Sequence, residues 1–156
     1  MTLFGCGPKL ALLSLPYIVL SLAVMYQYPD FLDLGFLDKT YIKIAGVIWL
    51  IAGIGFWIYS AFYFLKFFKP GTLITSGPFA LCRNPIYSSI IIFIIPSLGL
   101  IFHSGLTISI AIVLYLVFSL SIHGEANVLR KIFGEEYVRY EKSVNEILPF
   151  PRSVFR

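Results

Sequence analysis

The residues best able to do chemistry fall in two short stretches. Residues 75–90 read TSGPFALCRNPIYSSI and set Arg83, Asn84 and Tyr87 at the mouth of a long apolar run. Glu125 is the first acid after a second uncharged run. A helix beginning at Pro85 offers unbonded N–H groups and the positive end of its dipole. Arg83 adds a fork of donors suited to a carboxylate or phosphate, and Tyr87 stands about one turn away with a hydroxyl. These groups could form an anion clamp, with Glu125 as the partner for a cation. The same residues also have a plainer role. Asn84 suits an N-cap and Pro85 a first helical position, Gly77-Pro78 is a turn signal, and Arg83 could simply be a topological charge. Glu125 could open a surface helix, where acids favour the N-terminus. Both readings stand at this level.

Other candidates are weaker. His123 lacks a second ligand at metal spacing, so no metal site is expected; an interfacial histidine usually snorkels toward water. His103 sits in a turn and receives no role. A P-loop, GxGxxG, HExxH or nucleophile elbow is absent from the sequence.

The elements that must position these groups are membrane spans. The 156 residues are 58% hydrophobic and 13% charged, against about 25% charged in soluble domains. Apolar runs at about 10–27, 41–65, 86–102 and 106–123 approach the roughly 17–25 residues that a bilayer requires. This predicts an all-α integral membrane protein with about four transmembrane helices, forming a single domain over 1–156. Pro16 is expected to kink the first span, and Pro96 to distort the short third. The first run lacks a small-residue cleavage site and is read as a retained span.

Ten of the twelve Lys and Arg fall on one side of this topology; only Lys39 and Lys43 fall on the other. The positive-inside rule then places both termini and the 66–86 loop in the cytoplasm. The net charge of +4 is thus explained by topology, and no nucleic-acid partner is expected. Cys6 and Cys82 are read as free thiols.

Residues 103–105, HSG, are too short for anything but a helical hairpin. The start of span three and the end of span four therefore share one face, which brings Arg83, Asn84 and Tyr87 toward His123 and Glu125. Gly46, Gly53 and Ser60, with Ala45 and Ala52 beside them, form a small-residue packing stripe. Aromatic residues Tyr59 to Phe68 are read as an interfacial belt or an entrance for a lipid tail. After Gly124, Val128, Leu129, Ile132 and Phe133 predict an amphipathic helix on the cytoplasmic leaflet, continued by Tyr137 and Tyr140.

LITSGPFALCRNPIYSS followed by GEANVLRKIFGEEYVRYEKSVNEILPF resembles the integral-membrane methyltransferases, which include isoprenylcysteine carboxyl methyltransferases and phospholipid N-methyltransferases. The shared pattern is G-[PV]-[YF]-x3-R-[HN]-P-x-Y, then a glutamate-bearing helix, FG-x-x-Y-x-x-Y and a closing LP. It covers about residues 71–150. The resemblance implies S-adenosyl-L-methionine as cofactor, lined by Thr72, Leu73, Ile74 and Phe79 and contacted by Asn84, Pro85, Ile86 and Tyr87. Glu125 matches the first of an acidic pair and suits the cofactor's ammonium, while Arg83 suits its carboxylate. Arg83, Glu125 and Tyr87 are the catalytic candidates; Ser121 and His123 are substrate candidates. Three positions depart from the family. Asn84 stands where histidine is common, Ala126 where a second glutamate is usual, and Ser121 where an arginine meets the carboxylate of isoprenylcysteine substrates.

The leading expectation is methyl transfer to a lipid or lipidated amphiphile from the bilayer, with a carboxylate or an amine as acceptor. An NADPH-dependent reductase of the sterol type and a non-catalytic membrane protein are the alternatives. The oligomeric state is not indicated by the sequence.

Overall fold

The computed structural model describes residues 7–35 and 38–150; Cys6, Arg152 and Arg156 lie outside them. A chain this apolar must bond its backbone internally in lipid, which favours helix. The described residues form α1 (Gly7–Gln27), α2 (Lys39–Phe67), α3 (Pro85–Ile101), α4 (Gly105–Phe133) and α5 (Glu135–Ser143), with no strand beyond two isolated bridges. Helices α1, α2 and α4, of 21, 29 and 29 residues, are long and apolar enough to cross a membrane. Helix α3 is a shorter apolar helix, near the lower limit for a span.

Helix α2 packs on α3, α3 on α4, and α4 on α1. Phe118 is fully buried in the core, among Leu10, Ile91, Ile110, Leu114, Ile122 and Ile147. The outer surface is apolar: Leu12 is 71% and Leu120 81% exposed. In water this surface would be a liability; in a bilayer it is the lipid-facing side.

Helix α3 is distorted because of its sequence. Pro96 has no N–H to give to the carbonyl of Ile92, four residues earlier. The preceding residues Ser89–Ile94 widen into a π-helical turn. The Ile92 carbonyl receives the Trp49 Nε1–H of α2 at 3.0 Å, and the Trp49 ring stacks on Phe93 at 5.1 Å between centroids. One aromatic side chain thus covers a backbone group that proline left open.

The small-residue stripe lies where α2 meets α3. Gly46, Gly53 and Ser60 are buried, while Ala45 and Ala52 face outward. A Cβ on Gly53 would lie 2.6 Å from Phe93 Cβ; one on Gly55 meets nothing within 4 Å.

Two expectations change. The chain does not start a new helix after Gly124: α4 passes through it to Phe133. A lone glycine costs a helix only about 1 kcal/mol, too little to stop an otherwise continuous ladder. The true stop is Gly134, at φ +54°. The amphipathic stripe also divides. Val128 and Ile132 are exposed, whereas Tyr137 and Tyr140 of α5 are buried with Ala126 and Val144, against Leu129 and Phe133. The apolar face of α5 is therefore covered by protein.

The hairpin forms as expected, with α3 ending at Ile101 and α4 starting at Gly105. Ser104 caps α4 by accepting from Thr107 N at 3.3 Å. At this same face the α1–α2 connection bonds to the turn, Leu34 N to His103 O at 2.9 Å and Gly105 N to Leu32 O at 2.8 Å.

Two outcomes are expected from thermal unfolding in detergent. Gly53→Ala lowers stability by about 1–3 kcal/mol through overpacking, while Gly55→Ala does not. Trp49→Phe, which keeps the ring and removes the donor, costs about 1–2 kcal/mol.

Candidate active site

The end of the bundle opposite the hairpin is where the chemistry-bearing residues meet. The start of α1 brings Gly7 and the end of α2 brings Phe64 and Phe68. The start of α3 brings Pro85, Ile86 and Tyr87, and the second half of α4 brings Ile122, Glu125 and Leu129. They enclose a pocket of about 360 Å³, within the usual size range for small-molecule sites. Its remaining wall comes from Thr72, Leu73, Ile74 and Phe79 of the α2–α3 connection, and from Arg83, Asn84, Tyr137 and Tyr140.

The C-terminal segment builds the polar mouth. Arg83 N donates to Asn145 O at 2.8 Å and Asn84 N to Glu146 O at 3.1 Å. Asn84 Nδ2 reaches the same Glu146 carbonyl at 3.0 Å. Asn84 therefore occupies the cap position of α3 but makes no side-chain cap bond; its amide is used to hold residue 146. Tyr140 Oη donates to Phe79 O at 2.6 Å. These bonds tie residues 140–146 to residues 79–84.

Arg83 is the centre of this tie. Its side chain is 9% exposed, with Nη1 2.6 Å from Glu141 Oε1 and Nη2 3.8 Å from Glu146 Oε1. Tyr137 Oη lies 3.4 Å from Nη1. The other Glu141 oxygen accepts from Arg130 Nε at 2.9 Å and lies 2.7 Å from Arg130 Nη2. One carboxylate thus bridges two guanidinium groups. The expected clamp geometry shifts accordingly: both Nη atoms of Arg83 face carboxylates of the chain itself, which makes Arg83 a charge-balanced wall of the pocket.

Burial opposes charge on both partners, yet Arg83 stays charged beside Glu141 and Tyr137. Burial also pushes the Glu141 carboxyl up, but the hydrogen bonds from Arg130 and Arg83 outweigh it and hold Glu141 below its ordinary 4.5. Burial raises the Cys82 thiol to about 11, so this fully buried cysteine is not a nucleophile at neutral pH.

Of the residues singled out from the sequence, Thr72, Leu73, Ile74, Phe79, Arg83, Asn84, Pro85, Ile86, Tyr87 and Glu125 all line the one pocket. Ser121 and His123 do not. His123 is exposed and bonds through Nδ1 to the Ser119 carbonyl; its helical phase turns it away from Ile122 and Glu125. Ala126, in place of a second glutamate, is 6% exposed and packs with Tyr137 and Tyr140. Sequence reasoning missed Glu141 and Glu146. The available signal was that a buried arginine beside an apolar run needs carboxylate partners, and that Tyr137 and Glu141 are four apart on one helical face.

An apolar exterior and four helix ends around a pocket with a charged rim define an integral membrane protein with a small-molecule site at one face. Residues 40–136 match the profile of the phospholipid methyltransferase family, and the chain belongs to that family. The chain is also 36% identical over 78 residues to probable protein-S-isoprenylcysteine O-methyltransferases of Oryza sativa subsp. indica and subsp. japonica. That match spans 50% of this chain and 41% of each relative, so the chain aligns with less than half of their length. No solved structure gives a significant match.

The lowered Glu141 value sets a pH dependence. Because the folded chain holds this proton less tightly than the unfolded one, the stabilisation is complete above the ordinary value of 4.5 and is lost as pH falls through the folded value. Melting curves in detergent should show Glu141→Gln destabilised at pH 7 by about 1.5–3 kcal/mol, with a shallower loss of stability on acidification below about pH 4.5. Equal acid slopes in wild type and variant would remove Glu141 from this role.

Proposed function

We propose that the chain, acting as one unit, transfers a methyl group from S-adenosyl-L-methionine to an amphiphilic acceptor drawn from the bilayer. The observation that carries this is the single pocket gathering every residue the family pattern assigns to the cofactor. The charged groups fit as well: Arg83 and Glu125 are the charged residues of the described lining, against a cofactor that carries an ammonium, a sulfonium and a carboxylate.

In this reading Leu73, Ile74 and Phe79 give an apolar surface for the adenine, and Glu125 faces the ammonium. Arg83 takes part as a positioned wall, oriented by Glu141. When bound, the cofactor supplies a methyl carbon activated by its sulfonium. The chain's contribution is alignment and the exclusion of water by Phe64, Phe68, Ile122 and Leu129. An amine acceptor must lose a proton before it attacks, and Glu125 and Tyr87 are the pocket groups able to receive or relay it. Ser121 and the paired state of Arg83 leave no dedicated cation for an acceptor carboxylate among the described pocket residues, which favours an amine. The positive-inside count puts this face in the cytoplasm. The family match supports methyl transfer over the reductase alternative.

Calorimetric titration of the purified protein in detergent tests this. S-adenosyl-L-methionine should bind wild type, and Glu125→Ala should weaken it at least tenfold, with NADPH giving no heat. A methyl-labelled cofactor incubated with membranes should label a lipid amine, read by mass spectrometry. Unchanged affinity in Glu125→Ala, or no binding to wild type, overturns the assignment.

A further inference from the structure

The opposite end of α2 carries a second groove, of about 540 Å³, lined by Lys39, Thr40, Lys43, Ile44, Val47, Ile48 and His103. It lies far from the candidate active site. The 29 residues of α2 span about 40 Å at 1.5 Å per residue, and the two sites take opposite ends of it.

Its composition is graded along the helix. Lys39 and Lys43 are four apart, one above the other on the same face. They are also the two cations that the topology leaves on this side of the membrane, and the fold brings both to a single groove with a histidine from the α3–α4 turn. His103 is held at φ +54°, and its buried Nδ1 has no hydrogen-bond partner. Toward the middle of α2 the groove becomes wholly apolar at Ile44, Val47 and Ile48, which are 52%, 42% and 63% exposed. Of the nearby acids, Asp38 caps α2, accepting from Thr40 N at 2.8 Å, and Asp33 reaches Lys39 Nζ at 3.7 Å from outside the groove lining, an exposed ion pair of the kind worth little.

We infer that this groove is a binding site for a membrane phospholipid, its phosphate held by Lys43, Lys39 and the His103 ring and one acyl chain lying along Ile44, Val47 and Ile48. A cationic head above an apolar track matches a phosphodiester joined to a hydrocarbon tail, by charge at one end and by apolar contact at the other. The tail commits the site to a lipid: a free phosphate would leave the apolar half of the groove uncovered. The groove shares no lining residue with the candidate active site, so the site is independent of methyl transfer.

Native mass spectrometry of the purified chain in mild detergent provides the test. The probes are dioleoyl phosphatidylglycerol and dioleoylglycerol, which has the same tails without the phosphate. One phosphatidylglycerol per chain should remain bound, and dioleoylglycerol should not compete for it. Lys43→Gln with His103→Gln should reduce occupancy about tenfold at equal lipid concentration. Lys142→Gln, at an exposed lysine of α5, should retain it. If the double variant does not yield folded protein, Lys39→Gln with Lys43→Gln replaces it, since both side chains are exposed. Equal retention by the groove variants, equal competition by dioleoylglycerol, or loss of lipid in Lys142→Gln would each overturn the proposal.

Discussion

The site depends on a charge that cannot be left alone. Arg83 is nine-tenths buried at the membrane edge, where an unpaired guanidinium would be costly. Satisfying it requires carboxylates, and those come from residues 58 and 63 positions further along the chain, Glu141 and Glu146. The pairing draws α5 and the segment after it onto the start of α3. The backbone bonds from Arg83 and Asn84 to residues 145 and 146 follow, as does the burial of Tyr137 and Tyr140. The pocket wall is what these contacts leave standing. Arg130 on the far side of Glu141 extends the network to α4, so the helix bearing Glu125 is tied to the same anchor.

The long helices were legible because the bilayer imposes a simple rule, that long uncharged runs must be helices; three of the four runs gave helices long enough to cross a membrane and the third run a shorter one. The hairpin was legible because three residues leave a chain no other route back. The pocket residues came from a two-block family pattern, and the fold gathers them all. What the sequence hid was non-local. Nothing near Asn84 shows that its amide will hold the carbonyl of residue 146 instead of capping its own helix. Nothing near Gly124 shows that α4 continues, because a glycine before a charged stretch is also how helices end. His123 was drawn in by its proximity to Glu125, but helical phase, at about 100° per residue, turns it off the pocket; Ser121, carried over from the family pattern, shares the Glu125 face one turn earlier and is not part of the pocket lining. Ala126, where the family pattern usually has a second glutamate, is a packing site against two tyrosines.

The helix that connects the two faces also separates their roles. Around Gly46 and Gly53, α2 is shaped by close packing on α3. At Phe64 and Phe68 it gives apolar walls to the pocket, and at Lys39 and Lys43 it lines the second groove. A mutation in the middle of α2 should therefore be read first as a packing change, whichever end loses function.

The π-helical turn at Ser89–Ile94 sets the phase of α3. Before it, Pro85, Ile86 and Tyr87 face the pocket; after it, Ser97 and Gly99 are buried within the bundle. The wider turn lets both halves present their proper faces although no straight α-helix would align them. Regular α-geometry over the same residues would rotate one half about 100° against the other, whereas removing one residue would restore it with their phases nearly kept. A one-residue deletion should therefore disturb α3 less inside Ser89–Ile94 than on either side of it, which makes this turn the place where the helix has length to spare.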